Sequence, residues 1–262
     1  MAAAHRIPVL MYHRVGNVSD PWERKYCIEP RRFAGHMRAL DRAGWQAVSV
    51  DRFMVWLDGQ ASLPERSFLL TFDDGFESVL YHAHPVLNTL GWPATMFLVG
   101  AFIGQEDRWS ASEHPKGHIY PLLGAEQITR MQNTGWSFHG HSRHHKDLTS
   151  LNADDLAMEV LGCRNDLAAL GIDASYFAYP YGRYAEREVA AVKAAGYTAA
   201  FTVQPGFNRP GVDKFRIRRI DIFGTDSPAM LLRKIKFGSN DGSLMAVARY
   251  YAGRLLQRMQ RG

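Results

Sequence analysis

Two carboxylates stand side by side in Thr71-Phe72-Asp73-Asp74-Gly75, directly after the apolar run Phe68-Leu69-Leu70. Adjacent like charges repel and push one pKa up, unless a cation lies between them or one of them ligates it. That arrangement allows a division of labour, with one carboxylate on a metal ion and the other free as a base. A turn capping the next helix would use the same residues. A second constellation, Gly140-His141-Ser142-Arg143-His144-His145, follows the run Trp136 to His139. Imidazoles four positions apart, His141 and His145, share one side of a helical turn, as two ligands of one ion must. His139 and His144 point elsewhere under that geometry, the first on the strand and the second toward the surface or behind the ligands.

A third segment, Phe177-Ala178-Tyr179-Pro180-Tyr181-Gly182, gathers aromatic residues at a turn. Their apolar faces suit stacking on sugar rings, and the backbone N–H groups suit an oxyanion. Proline and glycine as plain punctuation of a strand-to-helix turn explain the segment equally well.

Groups so far apart in sequence need a frame that brings strand ends together. Short apolar runs at 7–13, 46–50, 67–72, 94–99, 136–139 and 176–179, with further runs near 197–203 and 215–222, alternate with helical patterns. The helices are predicted from Pro30 to Gly44 and at 51–57, 79–90, 125–133, 153–170 and 186–195. Alternating β and α units imply parallel strands with crossover helices, and seven or eight of them in one unit imply a barrel. The expected class is therefore α/β, an irregular (β/α) barrel of about seven to eight parallel strands in a single domain over residues 1–240. Residues 241–262 are expected to form a basic C-terminal helix on the barrel or extending from it. The stretch 100–120, without periodicity, reads as a loop long enough to be functional.

Bulk properties set bounds. The chain has 262 residues, 46% hydrophobic and 22% charged, the balance of an ordinary globular protein. Its formal charge of +5 is scattered and not gathered into a run, and no basic-aromatic cluster marks a nucleic-acid binder. Arg249, Arg254, Arg258 and Arg261 face away from Leu255, Leu256 and Met259, a pattern that suits weak contact with a membrane surface or a partner. Cys27 and Cys163 lack metal-site spacing and are expected as free thiols. With no long apolar run, the expected location is cytoplasmic, although a chain trimmed of its signal peptide would look the same.

Taken together, the three constellations resemble the signatures of the polysaccharide deacetylase family, carbohydrate esterase family 4: Thr-Phe-Asp-Asp-Gly, His-Ser/Thr-x-x-His and Pro-Tyr-Gly. The resemblance spans roughly residues 7 to 222 and implies an irregular (β/α) barrel. It implies Asp74, His141 and His145 as ligands of one divalent metal ion and Asp73 as catalytic base. It also implies an N-acetylated glycan or glycan precursor as substrate. Zinc is the expected ion, with cobalt and iron also suited to a mixed imidazole and carboxylate set.

Two departures stand out. The family's general-acid histidine sits on a late strand, yet all eleven histidines here precede residue 146. His13, at the end of the run Pro8-Val9-Leu10-Met11-Tyr12, takes its place, similar to the permuted arrangement of poly-N-acetylglucosamine deacetylases. Ala178 stands where many relatives carry an arginine that pairs with the catalytic aspartate, and Arg219 is the expected substitute. The backbone of Tyr181 is expected to hold the oxyanion, and Tyr179, Pro180 and Trp109, with Tyr120, to form a sugar-stacking groove. A small non-sugar amide on the same site and a catalytically inactive carbohydrate-binding barrel are the competing readings.

Overall fold

The computed structural model describes residues 6–246, 248 and 249. Strand β1 (Val9–Tyr12) is followed by β2 (Arg14–Val15), a 3-10 turn at Pro21–Lys25 and β3 (Cys27–Ile28). Then come α1 (Pro30–Arg42), β4 (Gln46–Val48), α2 (Val50–Leu57), β5 (Ser67–Phe72), α3 (Ser78–His82), α4 (His84–Leu90) and β6 (Ala94–Leu98). The remainder is α5 (Ala125–Gln132), β7 (Trp136–Gly140), α6 (Ala153–Ala168), β8 (Tyr176–Ala178), α7 (Glu186–Ala194), β9 (Ala199–Phe201), β10 (Ile220–Asp221) and α8 (Pro228–Phe237).

The main sheet runs in the order β10-β1-β5-β6-β7-β8-β9, with β4 on the first half of β5. All of its strand pairs are parallel. Phe201 at the end of β9 bridges to Ile217, and the Ile217 N–H donates to the Ala200 carbonyl. Three residues on, β10 pairs with β1 through Leu10 and Ile220. Residues 217–221 therefore bond to β9 on one side and to β1 on the other, which closes the sheet into an irregular barrel.

Side-chain alternation along parallel strands separates two cores. Val9, Leu69, Phe97, Tyr176, Ala178, Ala199, Phe201 and Ile217 pack together inside the barrel, and Phe53, Trp56 and Leu57 of α2 join them at one end. Leu10, Leu70, Phe72, Met96, Phe138, Phe177 and Ile220, one position out of phase, pack outward against the helices.

Three expectations change. The helix predicted over 79–90 is two helices, because Pro85 has no N–H to continue the first. The run 215–222 begins with a 3-10 turn at Lys214–Arg216, leaving a two-residue strand. An unforeseen pair, β2 with β3, forms a small separate parallel sheet. Most of the expected C-terminal helix, including Arg254, Arg258 and Arg261, lies outside the described residues. Among the described residues, no helix is long and apolar enough to cross a membrane.

Candidate active site

The inward phase of the strands, carried past their C-terminal ends, selects the site. Thr71 faces in on β5 and so does Asp73; His139 faces in on β7 and so does His141; Ile217 faces in and so does Arg219. His13 follows β1 by the same rule and borders the same cleft as Asp73, Asp74, His141 and His145. Backbone strain marks the place. Among the described residues the non-glycine positions with positive φ are Asp74 (74°), Ser142 (61°), His145 (57°) and Tyr181 (57°), and all four lie in the site's motifs. Strain of this kind persists where the surrounding fold overrides local preference, and it clusters at functional sites. Gly75 follows at φ 89°, and a Cβ there would come within 2.8 Å of the Leu98 side chain, which accounts for the glycine after the two carboxylates.

Asp74, His141 and His145 converge. The Nε2 atoms of both histidines lie 3.4 Å from Asp74 Oδ1, and that buried oxygen has no hydrogen-bond partner. Such an orphaned acceptor is costly unless something else satisfies it, and three ligand atoms around one point suit a divalent cation. The tautomer agrees. His141 Nδ1 lies 2.8 Å from the Ala178 carbonyl, which can only accept, so the hydrogen is on Nδ1 and the lone pair on Nε2. A second cluster, Glu23, His114 and His118, has similar spacing but the opposite tautomer. The Lys116 N–H donates to His114 Nδ1 at 3.0 Å, which leaves the hydrogen on Nε2, pointed at Glu23 Oε1 3.1 Å away. That cluster is a closed hydrogen-bond network and offers no imidazole lone pair from His114.

Asp73 is held differently. Arg219, 0% exposed, donates from Nη1 to Asp73 Oδ1 at 2.6 Å and from Nη2 to Oδ2 at 2.8 Å, while its Nε bonds the Thr202 carbonyl. Burial by itself would push the Asp73 carboxyl up, but the charge of Arg219 and then of His141 outweighs it and keeps the group ionised. Burial likewise opposes the ionisation of Asp74, but the two imidazoles that face it outweigh burial and hold the carboxyl below its ordinary range. His145 is pushed down to about 3, chiefly by burial, and so presents a neutral ring.

The walls are aromatic. Trp109 stacks on His145 at 4.9 Å between ring centroids, and Tyr181 meets the same ring edge-on at 4.7 Å. Tyr181 is 38% exposed and donates its hydroxyl to Glu113 at 2.7 Å. Tyr120 borders the cleft and bonds Glu23, and Pro180 is buried at the start of its turn. Tyr179 corrects the expectation of a stacking platform. It is 0% exposed, its ring is covered by Tyr184 and Phe177, and its hydroxyl bonds the Phe215 carbonyl, so no face is open to a sugar. His144 pairs with Glu159 away from the convergent ligands, and His139 is buried below them. Cys27 and Cys163 are free, and burial pushes their thiols up to about 11 and about 12.

The sequence model of the family described as polysaccharide deacetylase matches residues 60–200, a span that contains both carboxylates, both convergent histidines and the Tyr181 turn. The chain belongs to the polysaccharide deacetylase family. The poly-beta-1,6-N-acetyl-D-glucosamine N-deacetylase of Staphylococcus epidermidis is 26% identical over 237 residues, covering 80% of this chain and 77% of that protein. The solved structure of IcaB from Ammonifex degensii matches with a TM-score of 0.67 and 27% identity, over 83% of this chain and 92% of that one. The Streptococcus pyogenes deacetylase PplD, solved with acetate, shares the fold at a TM-score of 0.74, over 89% of this chain and 99% of its own, at 23% identity. In this chain the residues that sequence reasoning missed are Trp22, Glu23, Tyr26, Glu113 and Asp221, all of which border the cleft. Asp221 was within reach of the inward alternation that selects Arg219; the others lie on aperiodic loops.

Proposed function

We propose that the protein is a metal-dependent hydrolase that removes N-acetyl groups from an amino-sugar glycan, of the poly-N-acetylglucosamine type that its Staphylococcus epidermidis relative is named for. The observation that carries this is the orphaned Asp74 oxygen between two histidine nitrogens, beside an ionised Asp73 held by Arg219. Asp74, His141 and His145 would hold one divalent ion, with zinc favoured over cobalt or iron. Such an ion supplies Lewis acidity, drawing charge from an amide carbonyl and easing the ionisation of water.

The protein's own groups supply the rest. Asp73 takes the proton of the attacking water, and the two Arg219 bonds aim its carboxylate and keep it charged. The backbone N–H of Tyr181, presented by a left-handed turn, faces the developing oxyanion. His13, on the opposite strand end, gives a proton to the departing amine. Trp109 and Tyr181 shut water away from His145 and offer faces to the sugar. The products are acetate and a free amino sugar.

The test is acetate release from β-1,6-linked N-acetylglucosamine oligomers by zinc-loaded protein, against release from small amides. Acetate from the oligomers that disappears in Asp73→Asn supports the reading. Release only from small amides, or undiminished release by the variant, would sink it.

A further inference from the structure

The cleft has a second aromatic wall that the deacetylation chemistry leaves unused. Tyr26 stands edge-on to His13, 5.3 Å between centroids, and Trp22 lies 5.7 Å beyond Tyr26. Both are half-buried and border the same cleft as Asp73 and Trp109. The wall therefore leads away from the acid in two ring-sized steps.

It is also rigid. Trp22 sits in the 3-10 turn Pro21–Lys25, capped by Asp20, whose side chain accepts from the Trp22 N–H. Between the two rings in sequence is Glu23, only 3% exposed. Its carboxylate accepts from Arg14 at 2.8 Å, from the Ser19 N–H and hydroxyl at 2.9 Å each, from His114 at 3.1 Å and from the Tyr120 hydroxyl. His114 and Tyr120 belong to the facing loop that carries Trp109, so one buried carboxylate fixes both walls. Flat faces held partly open to a cleft, without cost at the moment of binding, complement the C–H face of a pyranose.

We infer that Trp22 and Tyr26 form a binding subsite for the pyranose ring next to the reacting N-acetyl sugar, on the His13 side where the amine departs, so that the substrate is at least a disaccharide. This rests on the deacetylase reading for its substrate class. Glu23 is the positioning residue of that subsite, touching neither the reacting atoms nor the sugar.

The test compares kcat/KM on β-1,6-linked N-acetylglucosamine oligomers of one to four units for the zinc-loaded wild type, Trp22→Ala and Glu23→Gln. The expected result is a wild-type preference for the tetramer over the monomer that Trp22→Ala reduces about tenfold through KM, the loss of one stacking contact. Glu23→Gln, which keeps the side chain's shape, should shift the same ratio in the same direction and serves if Trp22→Ala fails to fold. Calorimetric binding of the tetramer to Asp73→Asn, with and without Trp22→Ala, reads the subsite without turnover. Tetramer binding weakened about tenfold by Trp22→Ala would uphold the subsite even if the wild type released no acetate, an outcome that refutes only the deacetylase reading. An unaltered chain-length ratio and unaltered tetramer affinity in the variants would overturn the subsite.

Discussion

Arg219 and Asp73, 146 residues apart in the chain, meet in a two-bond pair at 2.6 and 2.8 Å with the guanidinium wholly buried. Arg219 comes from the segment, residues 217–221, that closes the barrel. Arg219→Met removes the charge that holds the Asp73 carboxyl below its ordinary range, and burial then pushes that carboxyl up. The acidic limb of the pH profile of kcat/KM should move to higher pH, with turnover near neutrality down by roughly 100-fold. Loss of one partner of a buried pair should cost ~3 kcal/mol or more in a denaturant melt. An acidic limb that stays in place would dissociate Arg219 from Asp73's ionisation.

The proposed binding of a divalent ion should be coupled to protons. The carboxylates of Asp73 and Asp74 overcome burial and raise the pKa of His141, so a proton competes for the Nε2 lone pair. Zinc affinity should fall as pH is lowered, and calorimetry in buffers of different ionisation enthalpy should detect proton release on binding that grows as the pH falls. Asp74→Ala should weaken zinc binding by well over ~10-fold, since it removes a ligand and not merely a supporting group. Zinc affinity independent of pH would argue against His141 as a ligand.

Ser142 offers a reversal of the usual ranking of substitutions. Its φ of 61° is strained, and its hydroxyl accepts the His145 N–H at 2.9 Å. Ser142→Ala loses the hydrogen bond, ~1 kcal/mol, and keeps the strain. Ser142→Gly loses the same bond but recovers ~1 kcal/mol of left-handed strain. The glycine variant should therefore be the more stable of the two by chemical denaturation. The opposite order would mean that the left-handed turn is not strained in solution.

Glu23 ties stability to acid pH. Burial opposes its ionisation, but hydrogen bonds from Tyr120 and Ser19 and the charge of Arg14 prevail and hold the carboxyl at about 2, against an ordinary 4.5. A carboxyl depressed by folding stabilises above its unfolded pKa and loses that contribution as pH falls toward the folded value. The stability gap between wild type and Glu23→Gln should be greatest above pH ~5 and narrow steadily on going down to pH ~2. A gap constant over that range would contradict the network.

Much of this could be read from the chain because the site obeys the strand period. Asp73, His141 and Arg219 are each the next inward residue past a run of alternating inward and outward side chains, and motif and geometry coincide there. The turn Pro180–Gly182, with Tyr181 at φ 57°, separates Tyr179 from Tyr181, which a period of two would have kept in phase. Tyr179 is in phase with the outward Phe177 and so belongs to the helix-packed core, a signal present in the sequence that the grouping of aromatics obscured. Pro85 announced the break between α3 and α4 just as plainly. The Trp22–Tyr26 wall was illegible for a different reason: its turn has no period, and its anchor Glu23 finds partners 91 and 97 residues away in a loop that has none either. Contacts of that range leave no local trace.

Closure of the barrel by residues 217–221 also dictates an order of events. His13 is made before the other residues of the site, yet β1 is flanked on one side by β10, which follows every other strand described. Pairing across so long a stretch of chain is slow and entropically costly. A polypeptide made only as far as β9 carries His13, Asp73, Asp74, His141 and His145 but lacks Arg219 and its two bonds to Asp73. Such a fragment is expected to release no acetate until residues 217–221 dock beside β1.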